Sequence, residues 1–463
     1  MRNAVAMCRS VRIKQADHFI ITSDASLVSM LLTTEASTEM LWTAQLHNST
    51  LGGIQAMRRK RKIALTGIVC MVLFAGFFST SSLLKWPTTA RAMPHTEFHI
   101  QKTYTFNTLK NPTGLLWLSL APSGSKLYIA DSGKHVIRVF NPGTGTLSTV
   151  AGTLDTAGYV NGQSWTAKFD YPTGLAGELR AWCGQTGCNQ YNSWGICISP
   201  QITCYNTHVL HINDSQNFVV RKLCTGDSSI NSGDCTNVMN QVSTIAGNNA
   251  KGYTDGAAAS ASFAGMGGHT DDGGSCYMAD AENHCIRKET SSGNVETFAG
   301  TAYPGFVDGY RTSARFNTPT KMVADGSGNM LIADVGNNAV RKIDSSGYVT
   351  TVAGLGSTQP GFADGASNVA KFARPTSLVQ YGSYTYVADS LNHRIRMIDS
   401  SGNVSTYAGN GQKGLVDGAK ESAQFNTPTE LVINGGLMYI SDSANNVIRR
   451  IDMSTGQVST YIN

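Results

Sequence analysis

The chain has 463 residues, of which 41% are hydrophobic and 14% charged, and its formal net charge is +5. The first 92 residues hold 11 of the 36 Lys and Arg and 4 of the 31 Asp and Glu, which leaves 25 basic and 27 acidic residues after position 92. Because a nucleic-acid-binding surface needs clustered Lys and Arg, this near-neutral remainder argues against nucleic-acid binding. The length allows one large domain with appendages.

Residues 1–57 show no sustained helical or strand period and no motif, so an unstructured tail is predicted. Met57 opens the basic segment MRRKRK and is an alternative start, in which case the preceding residues are not translated.

Residues 58–92 have the pattern of a membrane-targeting segment. The 22 residues from Ile63 to Leu84 carry no charge, and about twenty apolar residues suffice for a membrane-spanning helix. Five basic residues precede them, which favours a cytosolic amino terminus and a lumenal or extracellular carboxy-terminal part. The alternative is a signal peptide cleaved after Ala92, which would make the protein secreted.

The rest of the chain repeats one segment six times, at 129–140, 212–223, 278–289, 332–343, 387–398 and 440–451. In each copy an Asp precedes an Arg by seven residues; the pairs are Asp131 and Arg138, Asp214 and Arg221, Asp280 and Arg287, Asp334 and Arg341, Asp389 and Arg396, and Asp442 and Arg449. Short runs rich in Val, Ile, Thr and Tyr, bounded by Gly, Asn and Asp, predict four strands per unit. Six such units predict an all-β, six-bladed β-propeller.

The repeated unit has a recognisable consensus, PT-x-L followed by an IAD-x-x-N-x-x-IRKI-like segment and VST-x-AG. It resembles the NHL-repeat propeller family over roughly residues 111–463, and the propeller is assigned to 97–463. The resemblance implies the fold but no particular function, since such propellers bind proteins or RNA and occasionally act as enzymes.

The connectors between units also repeat. An Asp or Asn at 161, 255, 308, 364 or 417 is followed by Ala six residues later and by Phe eight residues later. This pattern predicts a turn at the acidic residue and a Phe wedged between neighbouring blades. The connector into blade 3 departs from the others, with Met266 and Gly267 in place of Pro and Thr.

The Asp–Arg pairs are predicted to be structural, because an interaction repeated in every blade across a tight hairpin is most simply explained by folding. The carboxylate can cap loop amides and pair with the guanidinium group of the adjacent strand. The same argument applies to His135, His284 and His393, which share one repeat position and belong to separate blades.

Eight cysteines fall in the propeller, and their spacing is not the paired C-x-x-C of a zinc site. Disulfides are therefore predicted among Cys183, Cys188, Cys197, Cys204, Cys224, Cys235, Cys276 and Cys285, although eight cysteines allow 105 connectivities. A cross-link between Cys276 and Cys285 is predicted across the blade-3 hairpin. No cofactor is predicted.

Blade 2 is oversized, with insertions at about 176–206 and 224–240 between its first and second and its third and fourth strands. In an up-and-down blade both connections leave the same face, so the insertions are predicted to form one disulfide-stapled projection. Its aromatic residues are Trp182, Tyr191, Trp194 and Tyr205. They are candidate contacts for an unidentified protein or small ligand; alternatively they form the insert's own small core.

Two functions are compatible with this sequence. The first is a non-catalytic binding platform, anchored in the membrane through the run from Ile63 to Leu84. The second is a secreted enzyme similar to propeller lyases or lactonases, with a metal in the central channel near His269 and Asp271 on the innermost strand of blade 3. Asn403 begins an N-x-S sequence in a predicted turn and is the candidate glycosylation site.

Overall fold

The structure is a computed structural model. It describes three strands near the amino terminus and residues 108–463, except 121–123, 192–196, 227–239, 272–274, 326 and 357–359; for residues 178–208 the description is of the backbone. The chain divides into two compact units, Met1–Phe106 and Asn107–Asn463.

The amino-terminal unit contains an antiparallel sheet of β1 (Phe19–Ser23), β2 (Ser26–Thr34) and β3 (Met40–Leu46). The sequence predicted an unstructured tail here, and these strands differ from it. The strands are short runs rich in Leu, Met, Thr and Ser, residue types that include the β-branched Thr favoured in strands. The predicted anchor or signal helix lies outside the described residues. No helix in the described part of the chain is long and apolar enough to span a membrane.

The carboxy-terminal unit is built from six antiparallel sheets, which confirms the six-bladed propeller. Blade 1 comprises β4 (Pro112–Leu120), β5 (Gly124–Asp131), β6 (Val136–Asn141) and β7 (Thr146–Ala151); blade 2 comprises β8 (Gly162–Gln163), β9 (Pro172–Tyr191), β10 (Cys197–Asp214), β11 (Val219–Gly226) and β12 (Gln241–Ala246); blade 3 comprises β13 (Gly256–Ala257), β14 (Met266–Asp271), β15 (Cys276–Asp280), β16 (Cys285–Glu289) and β17 (Asn294–Gly300).

Blade 4 comprises β18 (Gly309–Tyr310), β19 (Pro319–Ala324), β20 (Met330–Asp334), β21 (Ala339–Ile343) and β22 (Tyr348–Ala353); blade 5 comprises β23 (Pro375–Tyr381), β24 (Tyr384–Asp389), β25 (Arg394–Ile398) and β26 (Val404–Ala408); blade 6 comprises β27 (Gly418–Ala419), β28 (Pro428–Asn434), β29 (Leu437–Asp442), β30 (Val447–Asp452) and β31 (Gln457–Ile462). The four predicted strands of each blade are all present. The two-residue strands β8, β13, β18 and β27 belong to the connectors and pair with the outermost strand, which covers part of its open edge.

One turn of 3₁₀ helix joins the second and third strands of every blade, at Ser132–Lys134, Ser215–Asn217, Ala281–Asn283, Val335–Asn337, Ser390–Asn392 and Ser443–Asn445. A further turn spans Arg311–Ser313 in the connector of blade 4. Each interstrand turn ends on a residue in the left-handed conformation, such as Asn338 with φ of 51°. Asn tolerates this conformation better than most side chains do.

The core lies between the blades. The predicted connector wedges are fully buried there, as Phe169, Phe263, Phe316, Phe372 and Phe425. In the joint between blades 3 and 4, Phe316 packs in one cluster with Ile286 of blade 3 and Ile332 of blade 4. Since each blade exposes two apolar faces, stacking neighbours around a ring is what buries them.

The ring closes between blade 6 and blade 1 by side-chain packing rather than by an exchanged strand within the described residues. Trp117 of blade 1 stacks on Tyr439 of blade 6 with ring centroids 4.7 Å apart. The backbone amide of Asn111 donates to Asn446 Oδ1 at 2.8 Å. The sequence FHIQKTYTF at residues 98–106 predicts a strand that closes the ring, and these residues lie outside the described part of the chain.

The same amide contact links other blades, because the residue after the 3₁₀ turn accepts from the next blade. Thr318 N donates to His284 Nδ1 at 3.1 Å, and Thr427 N donates to His393 Nδ1 at 3.2 Å. Accepting through Nδ1 requires a neutral ring with its proton on Nε2. These histidines therefore hold neighbouring blades together, as their repetition in the sequence indicated.

Candidate functional site

The buried Asp–Arg pairs form a repeated structural unit, best described in blade 4. Arg341 is fully buried, and its Nη1 donates to Asp334 Oδ2 at 2.9 Å. Asp334 also accepts from Asn317 N and from Asn337 Nδ2, each at 2.7 Å. Burial raises the pKa of Asp334 to about 6, although hydrogen bonds from Asn337 and the charge of Arg341 lower it. The carboxylate is thus ionised at neutral pH and paired.

The connector acids complete this unit, which the sequence did not predict. Asp308 was expected only to form a turn, but its Oδ1 accepts from Arg341 Nη2 at 2.6 Å. The guanidinium carbon of Arg341 also lies 4.6 Å from the ring centroid of Phe306 and 5.3 Å from that of Phe316. Arg341 therefore binds two carboxylates and has two aromatic rings beside it. In blade 4 the Asp–Arg pair, the connector acid and the Phe wedge form one cluster.

The other blades repeat this geometry with small changes. The Asp–Arg distances in blades 2, 3, 5 and 6 are 2.7, 2.8, 2.7 and 3.1 Å. In blade 2 the connector residue is Asn161, which accepts from Arg221 Nε at 3.1 Å. In blade 1, Asp131 accepts from Lys110 N at 2.7 Å and Arg138 donates to Thr149 Oγ1 at 2.9 Å.

His269, the candidate ligand of a channel metal, is packed against blade 2. Only 3% of its surface is exposed, and its Nδ1 lies 2.9 Å from Asn213 Oδ1. Asn213 donates through Nδ2 to Gly267 O, so its Oδ1 faces the histidine and Nδ1 carries the proton. Nε2 of His269 is then an acceptor, buried and without a hydrogen bond in the described structure. The ring of His211 lies 5.6 Å away, centroid to centroid.

This polar joint between blades 2 and 3 is exceptional. The residue at the place of His269 is leucine or methionine in the other blades, and the residue at the place of Asn213 is alanine or serine. Burial lowers the pKa of His269 well below 6.5, and the charges of His211 and Lys321 lower it further. The ring therefore stays neutral. Asp271, its proposed partner, ends β14, and its side chain lies outside the described structure.

A second polar group lies on the innermost strands. Lys321 Nζ of blade 4 binds Glu430 Oε1 of blade 6 at 2.8 Å, and Ser377 Oγ of blade 5 donates to the same oxygen at 3.1 Å. Glu430 is 7% exposed; burial raises its pKa, and the neighbouring charge of Lys321 lowers it. The three residues link three blades around the axis. Among the described residues no three His, Cys, Asp or Glu side chains converge as metal ligands.

The first blade-2 insertion is an extension of the innermost two strands rather than a loop. β9 and β10 stay paired from Pro172 and Asp214 out to Tyr191 and Cys197. The third strand, β11, ends at Gly226, which pairs with Thr207. Residues 181–191 and 197–206 therefore form a ribbon of only two strands, here named the arm. With about 3.3 Å per residue, the arm is roughly 33 Å long.

The second insertion leaves the blade at the same end as the arm. It follows Gly226 at the end of β11 and rejoins at Gln241, where β12 begins, so the predicted common face is confirmed by the topology. Residues 227–239, which include Cys235, lie outside the described residues. Whether the two insertions form one stapled projection stays a prediction.

The arm brings the candidate contact residues into a defined order. Trp182 and Tyr205 are directly opposite each other in the β9–β10 register, and Tyr191 is opposite Cys197 at the outer end. Trp194 lies outside the described residues. The sequence also carried a signal that went unnoticed: the 26 residues 181–206 contain no Asp, Glu, Lys, Arg or His.

The predicted cross-link of the blade-3 hairpin is wrong. Cys276 lies opposite Glu289 in the β15–β16 register, whereas Cys285 lies opposite Asp280, and the two are not joined. Both belong to the hairpin as predicted, but four residues along the strand separate their positions, which is about 13 Å. A disulfide requires Cα atoms within about 7 Å.

The two N-x-S sequences differ in accessibility. Asn403 is exposed in the turn between β25 and β26, where its amide nitrogens bond to the carboxylate of Asp399. Asn213 is fully buried beside His269. Asn403 is therefore the more accessible of the two, and its glycosylation stays a prediction.

Comparison with known proteins supports the repeat assignment. No protein-family model matches the chain. NHL repeat-containing protein 2 of Bos taurus is 29% identical over 192 residues, which are 38% of this chain and 26% of that protein. Protein SUPPRESSOR OF QUENCHING 1, chloroplastic, of Arabidopsis thaliana is 29% identical over 209 residues, 40% of this chain and 19% of its own length. The chain thus spans about a quarter or less of these relatives.

Solved structures with a similar outline include an auxiliary nutrient binding protein from Bacteroides thetaiotaomicron, 16% identical with a TM-score of 0.46 over 77% of this chain and 74% of that one. Virginiamycin B lyase from Staphylococcus aureus is 13% identical, with a TM-score of 0.40 over 76% and 85%. Likenesses at this level carry no functional argument. The six in-register repeats, their six four-stranded blades and the similarity to NHL repeat-containing protein 2 support an NHL-repeat β-propeller.

Proposed function

We propose that this protein is a non-catalytic binding platform whose contact surface is the blade-2 arm. The observation that carries the proposal is that β9 and β10 continue as a two-stranded ribbon beyond the end of β11. No other blade has such an extension among the described residues. The rigid ring below it is the kind of scaffold on which loops and projections carry function.

The chemistry of the arm suits a partner surface that is uncharged. Within the described structure, neither edge of the ribbon has a neighbouring strand, so both present unpaired backbone amides and carbonyls. Natural edge strands are commonly protected by charged residues, and the arm has none. Its aromatic pair, Trp182 and Tyr205, adds the residue types that dominate binding energy in interfaces. A partner could thus add a strand to the ribbon and cover the aromatic residues.

The test compares two aromatic residues, one in the arm and one outside it, by proximity labelling in cells. We expect Trp182→Ala to reduce the labelling of specific neighbours at least about tenfold, since a buried interface aromatic is worth 2 kcal/mol or more. Tyr303→Ala is the matched control, because Tyr303 is 70% exposed in a connector remote from the arm in the sequence. If wild type and Trp182→Ala label the same neighbouring proteins to the same extent, the proposal that the arm is the contact surface is refuted. A large fall in unfolding temperature for Trp182→Ala would instead make Trp182 part of a core.

The proposed location is a single-pass membrane protein with the propeller on the lumenal or extracellular side. The uncharged run from Ile63 to Leu84 and the five basic residues before it support this orientation. Protease added to intact cells should digest a propeller on the cell surface and leave an amino-terminal epitope protected. A lumenal propeller should stay protected after the plasma membrane alone is permeabilised, while the amino-terminal epitope is digested. Recovery of the whole propeller in the medium would show a secreted protein. A propeller that is protected in intact cells and digested once the plasma membrane alone is permeabilised would refute both.

A metal-dependent enzyme in the channel is the second candidate, favoured by one observation. His269 Nε2 is a buried acceptor without a hydrogen bond in the described part, and its Nδ1 is oriented by a side-chain carbonyl, as in many histidine ligands. Stoichiometric zinc or calcium in the purified protein, lost in folded His269→Ala, would support the enzyme. Equal metal content in folded wild type and His269→Ala would exclude His269 as a ligand.

A further inference from the structure

The arm contains four cysteines, and the strand register places two of them directly opposite each other. Cys183 on β9 is the direct partner of Cys204 on β10. Directly opposed residues of antiparallel strands have Cα atoms about 4.5 or 5.5 Å apart, and both values fall within the range of natural disulfides, about 4.4–6.8 Å. This pair therefore meets the backbone requirement without any movement.

The other two cysteines of the arm are out of register. Cys188 lies opposite Pro200, and Cys197 lies opposite Tyr191. Cys188 and Cys197 are thus offset by three residues along the ribbon, about 10 Å, and Cys188 and Cys204 by four residues, about 13 Å. Both separations exceed the limit for a disulfide.

We propose that Cys183 and Cys204 are joined by a disulfide that holds the two strands of the arm in register. A ribbon of two strands is marginally stable on its own in water. The arm has no third strand within the described structure, and its residues carry no charge that could form a cross-strand ion pair. Successive residues of a strand lie on opposite faces, so the cysteine pair and the pair of Trp182 and Tyr205 occupy opposite faces of the ribbon.

The bond forms by thiol–disulfide exchange with an oxidised thiol compound, for which glutathione disulfide serves as the probe. One arm thiolate attacks a glutathione sulfur, which forms a mixed disulfide and releases one glutathione. The second arm thiolate then attacks the protein sulfur and releases the other glutathione. Two protons and two electrons pass from the cysteines to the glutathione disulfide, which becomes two reduced molecules. In a cell, formation of the bond requires an oxidising compartment, so this inference depends on the lumenal or extracellular location proposed above.

The test uses the purified full-length chain in a glutathione redox buffer, so its result does not depend on cellular location. After oxidation, remaining thiols are blocked with N-ethylmaleimide, and chymotrypsin is used to cut after Trp182, Tyr191, Trp194 and Tyr205. In Cys188→Ser/Cys197→Ser, we expect fragments 183–191 and 195–205 to remain joined until a reductant is added. Separate fragments that carry N-ethylmaleimide on Cys183 and Cys204 would overturn the proposal.

The matched control is Cys183→Ser/Cys197→Ser, which retains Cys188 and Cys204. Its two fragments should separate without reductant, and a link there that is absent from the first variant would also overturn the proposal. If either variant misfolds, electron-transfer fragmentation of the joined wild-type fragments locates the bonded residues. A link from Cys183 to any residue other than Cys204 would refute the assignment. The arm's role in binding is measured separately by Trp182→Ala.

Discussion

Removing the two carboxylates that hold Arg341 should have unequal effects on stability. Asp334 is fully buried and accepts three hydrogen bonds, from Asn317 N, Asn337 Nδ2 and Arg341 Nη1. Asp334→Ala leaves these donors unsatisfied and a buried guanidinium with one remaining carboxylate. Breaking a buried ion pair typically costs 3–5 kcal/mol. Because Asp308 still binds Arg341, we expect the lower end of this range, about 3 kcal/mol.

Asp308→Ala should cost about 1 kcal/mol. Its side chain is 44% exposed, so solvent screens the pair, and exposed pairs contribute up to about 1 kcal/mol. Urea unfolding of the full-length protein in detergent, followed by intrinsic fluorescence, gives both values from the shift in midpoint at constant slope. Asp334→Asn controls for volume. Equal losses for the two alanine variants, or a larger loss for Asp308→Ala, would refute the division into an inner and an outer carboxylate.

Three further expectations concern single residues. Because the pKa of His269 is lowered in the folded protein, protons bind this residue in the unfolded chain first, and the free energy of unfolding should decrease as the pH falls below 6.5, by up to about 1.4 kcal/mol per pH unit. In His269→Leu, the free energy of unfolding should depend less on pH between pH 7.5 and 5. An unchanged pH dependence would contradict this. Gly114→Ala should lower the free energy of unfolding in urea by about 2 kcal/mol, because the added Cβ would overlap the carbonyl oxygen of Thr173. The control Gly143→Ala, whose Cβ would have only a side-chain oxygen 3.4 Å away, should change it by no more than about 0.5 kcal/mol. Similar decreases for the two variants would argue against the close approach at Gly114. Protein made in secretory cells should lose a glycosidase-sensitive shift in gel mobility in Asn403→Gln, and an identical mobility would show that the site is not used.

The fold could be predicted from the sequence because the same sequence pattern recurs in each blade. The period placed the six units, the alternation of apolar residues gave the strands, and the connector pattern predicted the buried wedge at Phe316. The seven-residue spacing also predicted that Asp334 and Arg341 pair, and they form a buried ion pair. Repetition made these inferences safe, since a chance pattern does not recur six times.

The errors arose where a contact depends on residues that are distant in sequence. Asp308 looked like a turn former because its bond to Arg341 spans 33 residues. The contact of His269 with Asn213 was not predicted, because Asn213 belongs to another blade. The proposed link from Cys276 to Cys285 assumed proximity across a hairpin, whereas the register places the two cysteines four residues apart.

The sequence by itself determined the number of blades, their strands and the residues that hold each hairpin, since these follow from local periodicity and short-range hydrogen bonds. Only the tertiary structure decided how far β9 and β10 run together and which cysteines face each other. Strand register is fixed by pairing along the whole ribbon, and a run such as residues 181–206 contains no local feature that sets it. The same holds for the joint between blades 2 and 3, where polar groups from two blades meet only when these blades pack against each other.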